Sequence, residues 1–267
     1  MPVSSVIESV NELSDAGYKE VVLSGIHLGK YGRDLSQETD LVSLLKLINN
    51  SCKIERVRLS SIEPNELTPG IIGLAAESDK ICRHFHIPIQ SGDDGILKKM
   101  NRPYSGGFFR ELVFRIRESA PDAAVGVDIM AGFPGETEEA FNNTYSLIEE
   151  LPVSYLHVFP FSPREKTPAA KFKEQIPSHV TKARCARMRM LGAAKKAEFY
   201  QKALGTQFCI LIEDKRDEES GLLKGISSNY LSVLVEGEDN MRNKIVKTHI
   251  YEAYGNYATG KVLEVKI

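Results

Sequence analysis

Closely spaced cysteines are missing from this 267-residue sequence: its four stand at Cys52, Cys82, Cys185 and Cys209. No two form a CxxC or CxxxC pair, so there is no compact zinc or iron–sulfur signature. A disulfide framework is not expected in a chain of this size without secretory features. Each cysteine therefore reads as a buried small hydrophobe, and the chain as cytoplasmic. Long apolar runs are missing too. The longest, Val21 to Leu23 and Ile71 to Ala76, are strand-sized, far below the roughly 18 residues that span a bilayer. Met1 to Val10 carries Glu8 and no basic n-region, so no signal peptide is read there. Charge of one sign is not in excess either, with 34 Lys+Arg against 36 Asp+Glu and a net charge of -2. At 42% hydrophobic and 26% charged residues, the composition excludes disorder, collagen and a coiled-coil rod.

The charge that is present is unevenly placed. Residues 1–163 are net -8, residues 164–204 are net +8, and residues 205–267 are net -2. The middle block is the one strongly basic stretch, suited either to a polyanion or to a solvated helix face.

Apolar spacing alternates between the helical and the extended period. Val3 to Ala16, Leu41 to Ile48, Glu66 to Ala76, Asp93 to Met100, Gly107 to Ser119 and Thr137 to Glu150 read as helices. Between them Tyr18 to Gly25, Arg56 to Ser60, Arg83 to Ile87, Ala123 to Met130 and Ser154 to Phe159 read as strands. This alternation predicts a parallel sheet with crossover helices, hence an α/β barrel wall. A parallel barrel begins with a strand, whereas this sequence opens on a helix, so the first strand is expected to be missing. Ser178 to Leu204 then reads as one long helix stopped by Gly205. Beyond it, strands are expected at Gln207 to Ile212, Gly221 to Ser227, Leu231 to Val235, Asn243 to Ile250 and Lys261 to Lys266. That pattern suggests a small OB-like β-barrel. Three units follow: a partial barrel over 1–177, a basic connecting helix over 178–204 and a β-barrel over 205–267.

Candidate chemistry gathers in the loops after the strands, where barrel active sites are built. Asp128 lies on a buried strand that runs into Gly132-Phe133-Pro134-Gly135-Glu136; glycines there admit a ligand to the backbone, and Glu136 can accept from a ribose or an amine. A plain βα turn with an acidic helix start accounts for the same residues. Ser24-Gly25-Ile26-His27, Gln90-Ser91-Gly92 and Phe161-Ser162-Pro163-Arg164 add hydroxyl, imidazole, amide and guanidinium groups around one mouth. His84 and His86 share one strand face, the spacing of a metal-dependent hydrolase barrel, with only Asp128 and His157 available as further ligands.

Several runs together resemble the radical S-adenosylmethionine methylthiotransferases. They are Gly17 to Gly32, Arg58-Leu59-Ser60-Ser61-Ile62-Glu63-Pro64, His86 to Gly92 with Met100-Asn101-Arg102, Gly132 to Thr137, and Ser162-Pro163-Arg164 through Thr167-Pro168-Ala169. The resemblance keeps the motif order over nearly the whole chain. The Gly25-Ile26-His27-Leu28-Gly29 loop is similar to the branch that modifies threonylcarbamoyladenosine beside the tRNA anticodon. The family's first barrel strand carries a CxxxCxxC loop after an N-terminal domain with three cysteines. This sequence has neither, so it reads as a fragment that starts just after that loop, inactive by itself. Glu165-Lys166 also stands where the family has Pro-Gly or Glu-Gly.

The resemblance implies a radical S-adenosylmethionine barrel and a C-terminal TRAM domain. It also implies S-adenosylmethionine and [4Fe–4S] clusters as cofactors of the whole protein, the cluster not bindable by this chain. The tRNA anticodon stem-loop is the expected partner, with no membrane and no stable protein partner. Ser24, Gly25 and His27 would face the methionyl end of the cofactor and Gln90 and Ser91 its ribose or sulfonium. Asp128, Gly132 and Glu136 would frame the adenine side, and Arg164 the substrate mouth. Lys182, Arg189 and Lys196, spaced by seven residues, are the expected RNA contacts. An RNA-binding module alone, or a metal-dependent hydrolase using His84 and His86, are the alternatives.

Overall fold

Each crossover helix starts where a short polar side chain can take over an unpaired backbone amide, and each buries an apolar stripe spaced for one face. The computed structural model describes residues 1–35 and 38–265. Its first part runs α1 (Val3–Asp15), β1 (Glu20–Leu23), α2 (Leu41–Ser51), β2 (Arg56–Leu59), α3 (Pro69–Glu77) and β3 (His84–Gln90). It continues through α4 (Asp94–Lys99), α5 (Gly106–Ser119), β4 (Ala124–Ala131), α6 (Glu138–Glu150) and β5 (Tyr155–Pro160). Asp40, Asp93, Ser105 and Thr137 cap α2, α4, α5 and α6 by accepting from Ser43, Ile96, Phe108 and Ala140 amides. Each such cap is worth about 1 kcal/mol. Helix α3 starts three residues later than the apolar spacing suggests. Thr68 caps it and Pro69 opens it, while Glu66 is left in a 3₁₀ turn with its side chain turned inward.

The strands form a curved parallel wall. β1 pairs with β2 from Glu20–Arg56 to Leu23–Leu59, and β3, β4 and β5 pair in sequence order. A bridge between Val57 and Ile81, and the Ile62 amide donating to the His86 carbonyl at 2.9 Å, join the halves. The core lies between wall and helices, with Leu45, Ile48, Val57, Ile87, Phe109, Ile116, Val127 and Phe141 buried there. β3 runs on through Pro88 to Gln90, longer than expected, because the register slips after Ile87 and spares the proline a ladder donor.

From the end of β5, α7 (Ser178–Gln201) returns antiparallel along the wall. Gly192 packs against it so closely that an added Cβ would lie 3.1 Å from the Leu156 side chain. The helix stops at Gln201 rather than Leu204, and Gly205, with φ at +75°, reverses the chain. No helix among the described residues is long and apolar enough to cross a membrane.

The remaining strands are β6 (Gln207–Arg216), β7 (Leu223–Ser227), β8 (Ser232–Val235), β9 (Ile245–Ala253) and β10 (Ala258–Val265). They close into a barrel ordered β10-β8-β7-β6-β9, in which β10–β8 is the single parallel pair, an OB-like arrangement. Ile210, Val233, Val235, Val246 and Ile250 fill it. The last strand begins at Ala258, earlier than expected, and Lys266 of that expected strand lies outside the described residues.

This small barrel sits under the N-terminal ends of the parallel strands. Arg56 donates to the carbonyls of Ile226 (2.8 Å) and Cys209, and Arg58 to those of Ser228 (3.0 Å) and Ser227 (3.1 Å). Glu20 balances both guanidiniums, 2.7 Å from Arg58 Nε and 3.8 Å from Arg56 Nη1. Asn229 donates to the Asp122 carbonyl at 2.8 Å, and Tyr230 stacks on His84 with ring centroids 4.2 Å apart.

Candidate active-site face of the partial barrel

The inner face of the wall is polar and layered. Side chains two apart on a strand share a face, so His84 and His86 both point inward, as their spacing suggests. Their environments differ. His84 Nε2 lies 2.7 Å from the Tyr155 hydroxyl, and its ring is covered by Tyr230. Burial, reinforced by Arg58, holds the His84 imidazole neutral, well below its ordinary range. A side chain sealed in this way cannot share a solvated metal with His86, which removes the expected His84–His86 hydrolase pair.

One layer higher, His86 Nε2 is 2.7 Å from Asp128 Oδ1, and His157 Nδ1 is 3.3 Å from the same oxygen. Ser61 Oγ lies 2.8 Å from His86 Nδ1. Tyr155 lies flat over Gly126, where a Cβ would come within 2.1 Å of its ring; only glycine fits beneath it. Asp128 is thus turned to the two histidines.

The mouth above this layer is built by the strand-end loops. Ser24, Gly25 and His27 are exposed on the loop after β1, and Ile26 is 97% exposed. His27 Nδ1 and Lys30 Nζ approach the buried carboxylate of Glu66 at 3.1 and 3.3 Å. Gln90 ends β3 with φ at +70° and stays half-buried. Arg164 is exposed on a turn closed by the Thr167 amide donating to its carbonyl at 2.9 Å, so Glu165-Lys166 occupies a tight turn.

Three expected ligand residues are engaged inside the protein. Ser91 is 1% exposed; its hydroxyl lies 3.2 Å from Thr144 Oγ1 and accepts from the Asp93 amide. Glu136 is 3% exposed, accepting at Oε2 from the Gly132 amide (2.8 Å) and from Arg184 (2.9 Å). Burial pushes its carboxyl above the ordinary range, partly offset by the Gly132 amide and Arg184. Gly132 has φ at +81°, and a Cβ there would collide with Thr181 of α7 at 2.3 Å. The expected contact from Glu136 to a ribose or amine is therefore replaced by a brace: no group on this carboxylate is presented to the mouth.

Sequence reasoning passed over other residues. Arg102 clasps Glu63 through both carboxylate oxygens at 2.7 and 2.6 Å, tying the loop after β2 to the loop after α4, and Tyr104 donates to the Pro88 carbonyl at 3.0 Å. Glu63 and Arg102 stand in runs already singled out, which was the available signal. Ser61 stands in one of them too.

Of the expected RNA contacts, Lys182 and Arg189 are exposed on α7, and Arg189 donates to the Val158 carbonyl at 3.2 Å. Lys196 is half-buried, its ammonium 5.9 Å from the Tyr200 ring centroid. None of the three forms an ion pair among the described residues. Much of the helix's remaining charge is already matched: Arg184 and Arg187 meet Glu138, Lys202 meets Glu198, and Lys195 donates to the Glu149 and Leu151 carbonyls.

The cysteines do not converge. Cys52 follows the end of α2, Cys82 precedes β3 and Cys185 lies in α7, all three buried, and Cys209 lies in β6 of the small barrel. Burial raises the Cys52 and Cys185 thiols and pushes Cys82 up to about 12, the opposite of the thiolate a metal requires. These four residues do not fit an iron–sulfur cluster.

A parallel wall with its polar groups at the C-terminal strand ends, followed by a returning helix, is shared with a large enzyme class. The radical SAM superfamily model matches residues 1–148, and the chain belongs to that superfamily. Within it, the chain is 39% identical over 262 residues to threonylcarbamoyladenosine tRNA methylthiotransferase MtaB of Bacillus subtilis, covering 97% of this chain and 58% of that relative. It is 34% identical to a tRNA-2-methylthio-N(6)-dimethylallyladenosine synthase of Pelotomaculum thermopropionicum, covering 96% of this chain and 57% of that one. The chain thus spans a little over half the length of these relatives. Coproporphyrinogen III oxidase (HemN) of Escherichia coli, a radical SAM enzyme, shares the fold with a TM-score of 0.54 at 12% identity, over 92% of this chain and 60% of that chain.

Proposed function

We propose that the chain is the barrel and RNA-binding portion of a tRNA methylthiotransferase, of the branch that adds a methylthio group to threonylcarbamoyladenosine beside the anticodon. One observation carries this reading. The identity with the Bacillus subtilis threonylcarbamoyladenosine enzyme is 39% over 97% of the chain, against 33–35% for the dimethylallyladenosine synthases over similar spans.

S-adenosylmethionine, when bound in such a barrel, supplies the radical-forming chemistry of the superfamily. The donor set left at the mouth suits it. The Ser24 hydroxyl, the Gly25 backbone, the His27 imidazole and the Gln90 amide can take up the carboxylate, ammonium and ribose of a nucleoside-sized ligand. Arg164, exposed at the rim, is suited to an anionic group on the substrate side. The four cysteines of this chain do not enter the chemistry, and the chain by itself is expected to be inactive.

In this reading the small barrel is a TRAM domain. The anticodon stem-loop is drawn to α7 by Lys182 and Arg189, which form no ion pair among the described residues, with Lys196 at the groove between the barrels. Phosphate contacts of this kind set position, and unpaired loop bases supply discrimination. A tRNA substrate also implies a cytoplasmic protein. The test is binding of this chain to two anticodon stem-loops that differ only in carrying threonylcarbamoyladenosine or dimethylallyladenosine. Tighter binding of the threonylcarbamoyl form is expected; a preference for the dimethylallyl form, or no binding to either, overturns the assignment.

A further inference from the structure

Below the mouth, three side chains from three adjacent strands turn potential metal-ligand atoms toward one point. His86 Nε2, Asp128 Oδ1 and His157 Nδ1 all lie within 4.8 Å of one another, and two of the separations are 2.7 and 3.3 Å. Nitrogen and carboxylate ligands at bond lengths of about 2.0–2.2 Å stand about 3.4 Å apart around a tetrahedral ion, so small side-chain rotations suffice to admit one. Two imidazoles and a carboxylate are the donor set of catalytic zinc and of non-haem iron(II), and both keep coordination positions open.

The surroundings fit a bound ion in two further ways. Ser61 Oγ sits 2.8 Å from the remote nitrogen of His86, Nδ1. A hydroxyl can donate there while His86 Nε2 carries the proton shared with Asp128. It can equally accept the Nδ1 proton once Nε2 gives its lone pair to a metal, so either tautomer is satisfied. Access is provided by a groove of about 420 Å³ between the two barrels, lined in part by Tyr155, His157, Lys196, Tyr230 and Glu213. His157 has half its side chain exposed to that side, whereas His86 and Asp128 are mostly covered.

We propose that His86, Asp128 and His157 form a binding site for one divalent transition-metal ion, zinc or iron(II) in class, with Ser61 as the positioning residue of His86. The three ligands lie on the inner strand face, with Ser61 reaching them from the loop after β2, and the exposed charges of α7 take no part. It stands or falls separately from the tRNA reading.

The experiment is titration of the purified 267-residue chain with Zn²⁺ by calorimetry and with Co²⁺ by visible absorption. One ion per chain is expected, and the cobalt spectrum should show nitrogen and oxygen ligands without thiolate charge transfer. His157→Ala and Asp128→Asn abolish this binding, and Ser61→Ala weakens it about 10-fold or more. His179→Ala, exposed at the start of α7, leaves it unchanged. Circular dichroism and thermal unfolding establish that each variant is folded. His157→Ala is the decisive one, because its half-exposed side chain can be removed without opening the core. Absence of saturable binding, binding indifferent to His157→Ala, or a thiolate-ligated cobalt spectrum overturns the site; the first of these would leave the three residues a hydrogen-bonded cluster only.

Discussion

Arg184 Nη1 donates to Glu136 Oε2 across 2.9 Å, 48 residues apart in sequence and with both side chains almost wholly buried. The same oxygen accepts the Gly132 amide, so one carboxylate fastens the loop after β4 to α7. Removing Arg184 leaves the buried Glu136 carboxylate without an ion partner, and removing Glu136 leaves Arg184 only the exposed Glu138 carboxylate at 3.2 Å. Breaking a buried pair in this way costs about 3–5 kcal/mol. Glu136→Ala and Arg184→Ala should each lower stability by that order in urea unfolding. The double variant should cost clearly less than their sum. Losses below about 1 kcal/mol would show that the brace is not what holds this loop.

The covered imidazole of His84 gives a pH dependence with a definite sign. Its folded pKa is depressed by burial, first of all, so below about pH 6.5 the unfolded chain takes up a proton that the folded chain does not. The stability linked to this group is full above that pH and falls by about 1.4 kcal/mol per pH unit below it, until the folded pKa is reached. Urea unfolding at pH 7.5, 6.5 and 5.5 checks this. The difference between the protein and His84→Gln should be constant down to pH 6.5 and shrink below it. A constant difference at all three would place His84 in contact with water.

How far the sequence discloses this architecture depends on the range of the interaction. Caps act within three residues, so the starts of α2, α4, α5 and α6 were readable from Asp40, Asp93, Ser105 and Thr137. The start of α3 was not, because Glu66 follows the apolar rhythm while Thr68 and Pro69 set the boundary. Strand faces were readable too: His84 and His86 share one. Which of them meets Asp128 and His157 depends on the register of β3, β4 and β5 and on Tyr230 arriving from the small barrel. Glu136 misleads for the same reason. Its loop has the glycines of a ligand site, but Thr181 and Arg184, which occupy it, come from a helix beyond the next strand.

Phosphate contact by α7 has a measurable signature in salt. Lys182 and Arg189 are exposed and without ion pairs among the described residues, whereas Lys196 is half-buried and Arg184 is buried and paired with Glu136 and Glu138. Changing Lys182 and Arg189 to Glu should weaken binding to an anticodon stem-loop and reduce the slope of log affinity against log salt by about two. The same affinity and slope would mean that another surface meets the RNA.

Iron reconstitution tests the reading of the cysteines. Incubated with iron and sulfide under reducing conditions, this chain should stay colourless and leave S-adenosylmethionine intact, because among the described residues none of Cys52, Cys82, Cys185 and Cys209 joins a cluster of metal-ligand atoms. A brown protein with about four irons per chain, the content of a [4Fe–4S] centre, would contradict it.

The most direct measurement of the proposed function is nucleoside mass spectrometry of tRNA from the source cells, with the gene for this chain intact and disrupted. On disruption 2-methylthio-threonylcarbamoyladenosine should disappear, threonylcarbamoyladenosine should accumulate in its place, and the 2-methylthio form of dimethylallyladenosine should be unchanged. Loss of the dimethylallyl product instead, or no change in either, would contradict it.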